Sequence, residues 1–157
     1  INTASTVEEM FNAIDENGLE LGLDRDYFDW ADYYRLQVAE HVLKNRPKLT
    51  GYVNAENMRE VFVEKVEELA PEANAITAVN DANSFSAMRK AVEDEGIAEA
   101  LGLGLEDYFT LSDQEKNIVA SLLIDRRPES GYSNAEEFKE VFDITIAEVK
   151  ANSGEIL

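Results

Sequence analysis

The sequence contains no cysteine and a single histidine in 157 residues. The first absence removes disulfides, thiolate nucleophiles and sulfur-ligated zinc or iron–sulfur centres. The second leaves His41 with no other histidine to share a metal or a proton. Positive charge is also scarce: 14 Lys and Arg stand against 33 Asp and Glu, a net charge of −19. Phosphate backbones and anionic lipid surfaces would be repelled by such a chain, so nucleic acid is not an expected partner. No apolar run approaches the roughly 20 residues needed to cross a bilayer, and no basic stretch followed by an apolar one marks a signal peptide. Membrane insertion is therefore not expected either. What is present is 45% hydrophobic and 9% aromatic residues, enough for a folded core despite the charge. The chain begins at Ile1 rather than Met, and we expect a piece of something longer.

One segment returns about 80 residues later with its turn and apolar positions in order. Ile1-Asn2 recurs as Val79-Asn80, and Met10, Ile14 and Gly18 recur as Met88, Val92 and Gly96. Leu21-Gly22-Leu23 returns as Leu101-Gly102-Leu103, and Asp26-Tyr27-Phe28 as Asp107-Tyr108-Phe109. Arg46-Pro47, Gly51-Tyr52 and Asn54-Ala55-Glu56 match Arg127-Pro128, Gly131-Tyr132 and Asn134-Ala135-Glu136. Length differences between the copies fall at Gly- or Pro-containing connections, where added residues are tolerated. This predicts two domains, 1–78 and 79–157, related by duplication.

Each copy reads as three helices. The first is expected to start with a capping box of Ser5 and Glu8, with Asn83 or Ser84 capping in copy two, and to be interrupted or ended by Gly18 and Gly96. The second starts near Asp32 in copy one and at Ser112 in copy two, where Glu115 completes a capping box; both stop before the Arg-Pro pair. The third follows Asn54 or Asn134. Its apolar pattern, Met58, Val61, Phe62, Val66 and Leu69, carries on past Pro71 through Ile76 and Val79, so this helix bridges the modules and is kinked or broken near the proline. In copy two the corresponding pattern, from Phe138 through Val149, leads to Ile156. Strand alternation is absent. The expected fold class is all-α: two homologous three-helix modules in tandem, joined through a long or kinked third helix.

An Asn-led start, a Met helix, L-G-L before D-Y-F, a helix ending in R-P, and G-Y before an Asn-capped helix containing V-F together resemble the tandem helical repeats of large Gram-positive surface proteins. Such proteins often also carry S-layer-homology or carbohydrate-active domains. The resemblance implies an extracellular, cell-surface or cell-wall location and a spacer or adhesion role. It implies no activity.

Residues shared by both copies are best explained by folding, so Tyr27, Phe28, Tyr108 and Phe109 read as packing, and Arg46 and Arg127 as partners of helix-terminal carbonyls. His41 falls in the apolar stripe of the second helix and reads as a packing residue. Departures from the repeat are more informative. Trp30, Tyr33 and Tyr34 stand where copy two has Leu111, Gln114 and Glu115. An exposed aromatic cluster at the start of the second helix would suit sugar rings or a protein partner, so these three are the candidate ligand-binding residues. The alternative is packing against the third helix or another module.

Asp15-Glu16-Asn17-Gly18 and the group Asp24, Asp26, Asp29 and Asp32 lack the ligand spacing of a calcium loop, and no metal site or cofactor is expected. No catalytic motif is present: no G-x-S-x-G, no H-E-x-x-H, no phosphate-binding glycine loop. These features point to a non-enzymatic spacer of a bacterial surface or secreted protein. Its partners would be neighbouring domains or repeats of the same chain, with a cell-wall glycan or another surface protein as further candidates. A binding module working through the Trp30/Tyr33/Tyr34 patch is the alternative.

Overall fold

A computed structural model describes residues 1–23 and 25–153. Asp24 and Ile156, invoked above, lie outside the described residues. Among these residues the chain is all-α with no strand. It divides into two compact units, Ile1–Ala70 and Pro71–Leu157. The unit boundary falls inside a helix, eight residues before the point at which the sequence repeat restarts.

Unit 1 begins with α1 (Val7–Leu21), packed on α2 (Asp32–Lys44), with a 3-10 turn (Asp26–Asp29) between them. The N-terminal cap of α1 sits one residue later than the sequence predicts. Thr6 accepts from the Glu9 N–H at 3.1 Å, while Glu9 reaches back to the backbone N–H and hydroxyl of Ser5 at 2.9 and 3.1 Å. The capping exchange is real, but its carboxylate is Glu9 and not Glu8.

Gly18 does not end α1. A Cβ there would lie 2.2 Å from the Phe28 ring, so this glycine admits Phe28 against the helix. The helix ends instead at Gly22, whose φ of +68° only glycine adopts at low cost, with Leu23 N–H bonded to the Gly18 carbonyl at 3.0 Å. In unit 2, Gly102 (φ +67°) and Leu103 N–H to the Ala98 carbonyl at 2.9 Å repeat this geometry. L-G-L is thus a helix stop.

Unit 2 contains α4 (Phe85–Glu93), α5 (Glu95–Leu101), α6 (Glu106–Phe109), α7 (Asp113–Asp125) and α8 (Ala135–Ser153). Here the first helix of the repeat is split in two. Asp94 leaves helical geometry (ψ 122°) at the end of α4, and its carboxylate accepts from Ile97 N–H at 3.0 Å to start α5. Gly96 lies in the first turn of α5 and interrupts nothing. Ser84 caps α4, and Ser112 with Glu115 forms the full capping box at α7 as expected. α4 and α8 pack on α7, and α5 packs on both α4 and α8.

The third helix of copy one is α3 (Ala55–Asp81), which contains Pro71 without ending there. Its first part contributes Met58, Phe62 and Val66 to the core of unit 1; its last part contributes Ala73, Ile76 and Val79 to that of unit 2. Asn54 and Asn134 cap α3 and α8, accepting from Asn57 and Glu137 N–H, each at 2.9 Å.

The residues shared by the two copies form the same hydrogen-bonded frame in each unit. Asn2 grips Tyr52 at two points, donating to its carbonyl at 3.0 Å and accepting from its N–H at 2.8 Å; Asn80 does the same to Tyr132 at 3.0 and 2.7 Å. The tyrosine hydroxyls continue inward to the carbonyls of Val42 and Leu123, both at 2.6 Å. Arg46 donates to the Ile1 carbonyl at 2.7 Å, and Arg127 to those of Val79 and Ala82 at 3.0 and 2.9 Å. Gly51 and Gly131, with φ of +66° and +87°, leave room for the asparagine amides. Both arginines therefore serve backbone carbonyls, although those carbonyls belong to the segment entering each unit.

Candidate functional site

The three aromatics that break the repeat do not form an exposed patch. Trp30 is 4% exposed and Tyr34 fully buried, while Tyr33 is 46% exposed. Trp30 closes the 3-10 turn through its N–H to the Tyr27 carbonyl, and its ring meets Tyr27 edge-on at 5.8 Å. Its counterpart Leu111 is buried too, so the exchange is one apolar filler for another. Tyr34 lies four and eight residues before the buried Val38 and Val42, on the inward face of α2. Polarity of the aligned Glu115 is a poor guide to exposure at Tyr34, because Glu115 is the capping-box residue of α7. Only Tyr33 remains at the surface.

Phe109, aligned with Phe28, is 54% exposed, so the D-Y-F motif packs chiefly through its tyrosine. His41 is partly buried: its Nε2 lies 3.9 Å from Glu64, and its Nδ1 3.2 Å from the Asn45 amide nitrogen. Asp15 is ion-paired with Arg35, and Asp32 lies 3.5 Å from the same guanidinium.

The structure does bring together a group of residues that sequence reasoning missed. In each unit the buried D-Y-F tyrosine is flanked by a carboxylate and by a cation of the second repeat helix, to which unit 2 adds a cation from α4. In unit 1 Arg35 of α2 lies 4.6 Å over the Phe11 ring and 5.5 Å over Tyr27, paired with Asp15. In unit 2 the aligned residue is Lys116, whose ammonium is 5.5 Å from the Tyr108 ring, and a second cation, Arg89, comes from the α4 position that is Phe11 in copy one. Arg89 donates to Asn117 Oδ1 at 2.9 Å and to Glu93 and Asp113 carboxylates at 3.3 and 3.4 Å.

Burial, opposed by the charge of Arg35 in one unit and reinforced by that of Glu93 in the other, pushes the Tyr27 and Tyr108 phenols up to about 12. Both stay neutral at physiological pH. The Tyr108 hydroxyl has no hydrogen bond of ordinary geometry, yet lies close enough to Arg89 and Glu93 to feel both charges.

In unit 2 this arrangement borders a cleft of about 530 Å³ lined by residues of α4 and α7, including Phe85, Ser86, Arg89, Lys90, Glu93 and Asn117. Copy one has Val7, Phe11 and Leu36 at the positions of Phe85, Arg89 and Asn117. The cleft therefore combines an exposed ring with fixed donors and acceptors that the repeat fold does not require. The signal was available in the alignment of the copies, in the polar residues that copy two has gained.

No known family profile matches the chain, and no solved structure matches it. A gellan lyase from a Bacillus species is 31% identical over 140 residues, which cover 89% of this chain but 5% of that protein. The chain thus spans about a twentieth of the length of the curated relative it matches. This similarity overturns the reading of the chain as a non-enzymatic spacer or adhesion repeat. A stretch resembling nearly all of it lies in a polysaccharide-cleaving enzyme, and the absence of catalytic motifs was not sufficient ground for placing the chain outside enzymes.

Proposed function

We propose that the chain is a helical module of a polysaccharide lyase and that it engages the acidic polysaccharide on which the enzyme acts. The observation that carries this reading is the similarity to the Bacillus gellan lyase across 89% of the chain. A lyase that cleaves a uronate-bearing polymer must neutralise a sugar carboxylate, remove the neighbouring proton and release the glycosidic oxygen. The unit 2 cleft brings an exposed ring, an amide and charges of both signs together, while the neutral phenol of Tyr108 is no base at physiological pH.

The same reading includes two finer statements. The two units are homologous three-helix modules, with α4 and α5 of unit 2 together standing for α1; the paired asparagine–tyrosine frames support this. The enzyme works outside the cell, the location that the resemblance to Gram-positive surface repeats implies.

Affinity electrophoresis of the full chain tests the proposal. A protein of net charge −19 is repelled by an acidic polymer, so retardation in a gellan-containing gel requires specific contacts. We expect retardation by gellan and none by neutral dextran, increasing as added salt shortens the screening length from about 30 Å at 0.01 M to about 8 Å at 0.15 M. Equal mobility in both gels at every salt concentration would overturn it.

A further inference from the structure

We propose that the end of unit 1 formed by Ile1, Asn2, Arg46 and the start of α3 is a docking face for the last turns of another repeat's third helix, an inference independent of the lyase reading. The occupant would run into Ile1 as residues 71–78 run into Val79. Within unit 2 those residues belong to the last turns of α3, where Ala73, Ala75, Ile76 and Val79 are each 3% exposed or less. Arg127 acts on the end of this helix: it donates at 3.0 Å to the Val79 carbonyl, one of the four that helix geometry leaves without an N–H. Asn80, in the same turn, makes the two-point grip on Tyr132.

Unit 1 has the same receptor for a helix end, set on a segment that is not helical. Arg46 donates at 2.7 Å to the carbonyl of Ile1, the residue aligned with Val79, and Asn2 grips Tyr52 as Asn80 grips Tyr132, yet Ile1 and Asn2 lie outside any helix. Around this receptor the side chains are more exposed than their counterparts. Ile1 is half-buried where Val79 is fully buried, and Asn2 is exposed where Asn80 is half-buried. Asn54, Ala55 and Asn57, at the start of α3, are exposed, whereas Asn134 and Glu137 are half-buried and Ala135 is buried. Charge at this end differs as well. Lys44 and Lys48, on either side of Arg46, and Asn57 stand where copy two has Asp125, Glu129 and Glu137, while the acid at Glu56 is matched by Glu136. Unit 1 is therefore the less acidic of the two here, which suits the partial negative charge of a helix C-terminus.

The test places a second copy of residues 67–78 directly before Ile1 of the full chain, so that Ala78 of the added copy precedes Ile1 as it precedes Val79. A control protein has the same addition with Ile76→Asp in the added copy alone, which leaves every native residue in place. Amide hydrogen exchange is followed residue by residue in the unextended chain, the extended chain and the control, with circular dichroism as the check that all three fold. Exchange at Asn2 and at Ala55 to Met58 is expected to be at least about tenfold slower in the extended chain than in the other two, because the added helix covers the first turn of α3. The thermal midpoint should rise in the extended chain only. Equal exchange at these amides in the extended chain and the control would overturn the docking face. Slowing in the unextended chain as its concentration is raised, with a dimer seen by sedimentation, would overturn the assignment of the occupant in favour of a second copy of this chain.

Discussion

Asn80 holds Tyr132 by two hydrogen bonds, as Asn2 holds Tyr52, and this pairing is the most exact correspondence between the units. Asn80→Ala would leave both backbone groups of Tyr132 unpartnered in a partly buried position, and we expect about 1–3 kcal/mol of destabilisation by chemical denaturation. A loss under about 0.5 kcal/mol would show that water replaces the clamp at no cost. The tyrosines themselves make stability depend on high pH. Burial pushes Tyr27, Tyr108 and Tyr132 from the ordinary 10 to about 12. Between these values the unfolded chain loses protons that the folded chain retains, so stability is intact below pH 10 and falls as pH rises towards 12. Phenolate absorbance and helical circular dichroism should therefore change together in that window. Ionisation of these three near pH 10 with helicity intact would contradict their burial. At this scale the sequence was readable where both copies agree: Arg46, Arg127, Tyr27 and Tyr108 serve the fold. It misled at Trp30 and Tyr34, because the loss of an aromatic in copy two reflects a smaller filler or a capping role there, and neither reports exposure.

Helix existence was legible from three- and four-residue apolar spacing and from caps, and the Ser112–Glu115 box formed as the spacing requires. Glycine was harder to read. A glycine inside a helix signals a stop, a kink or a close contact, and only tertiary structure separates these. Gly22 and Gly102 are stops, Gly18 is a contact, and the break between α4 and α5 comes from Asp94, not from Gly96. Gly18→Ala places a Cβ 2.2 Å from the Phe28 ring, so it should destabilise the protein by about 1–3 kcal/mol through overpacking, although alanine is the better helix former. An increase in the denaturation midpoint would mean that Phe28 swings clear and that the contact is incidental. The third helix bridges the repeats as its apolar pattern predicts, and it is not broken at Pro71: α3 continues through the proline over 27 residues. Packing of apolar residues on both sides of the proline outweighs its missing N–H.

At the scale of the whole molecule, the lack of cysteine excludes disulfides and thiolate chemistry within these 157 residues. Composition did not reveal the similarity to a stretch of a gellan lyase, since helix-forming motifs are the same whichever protein contains them and fold does not define function. The unit 2 cleft was partly visible in the sequence, where copy two replaces apolar residues of copy one by Arg89 and Asn117, but only the packing of α4 on α7 brings these together. A net charge of −19 on a module proposed to meet an acidic polymer means that contact must be local and made against an unfavourable overall field. The central claim is that the module contributes to lyase action, and the rate of gellan cleavage tests it most directly. In the Bacillus gellan lyase the stretch matching this chain would be deleted, or replaced by this chain, and kcat/KM measured on gellan polymer. The account predicts a fall of at least about tenfold on deletion, some 1.4 kcal/mol of transition-state binding, and recovery when this chain is inserted. An unchanged kcat/KM after deletion would contradict it.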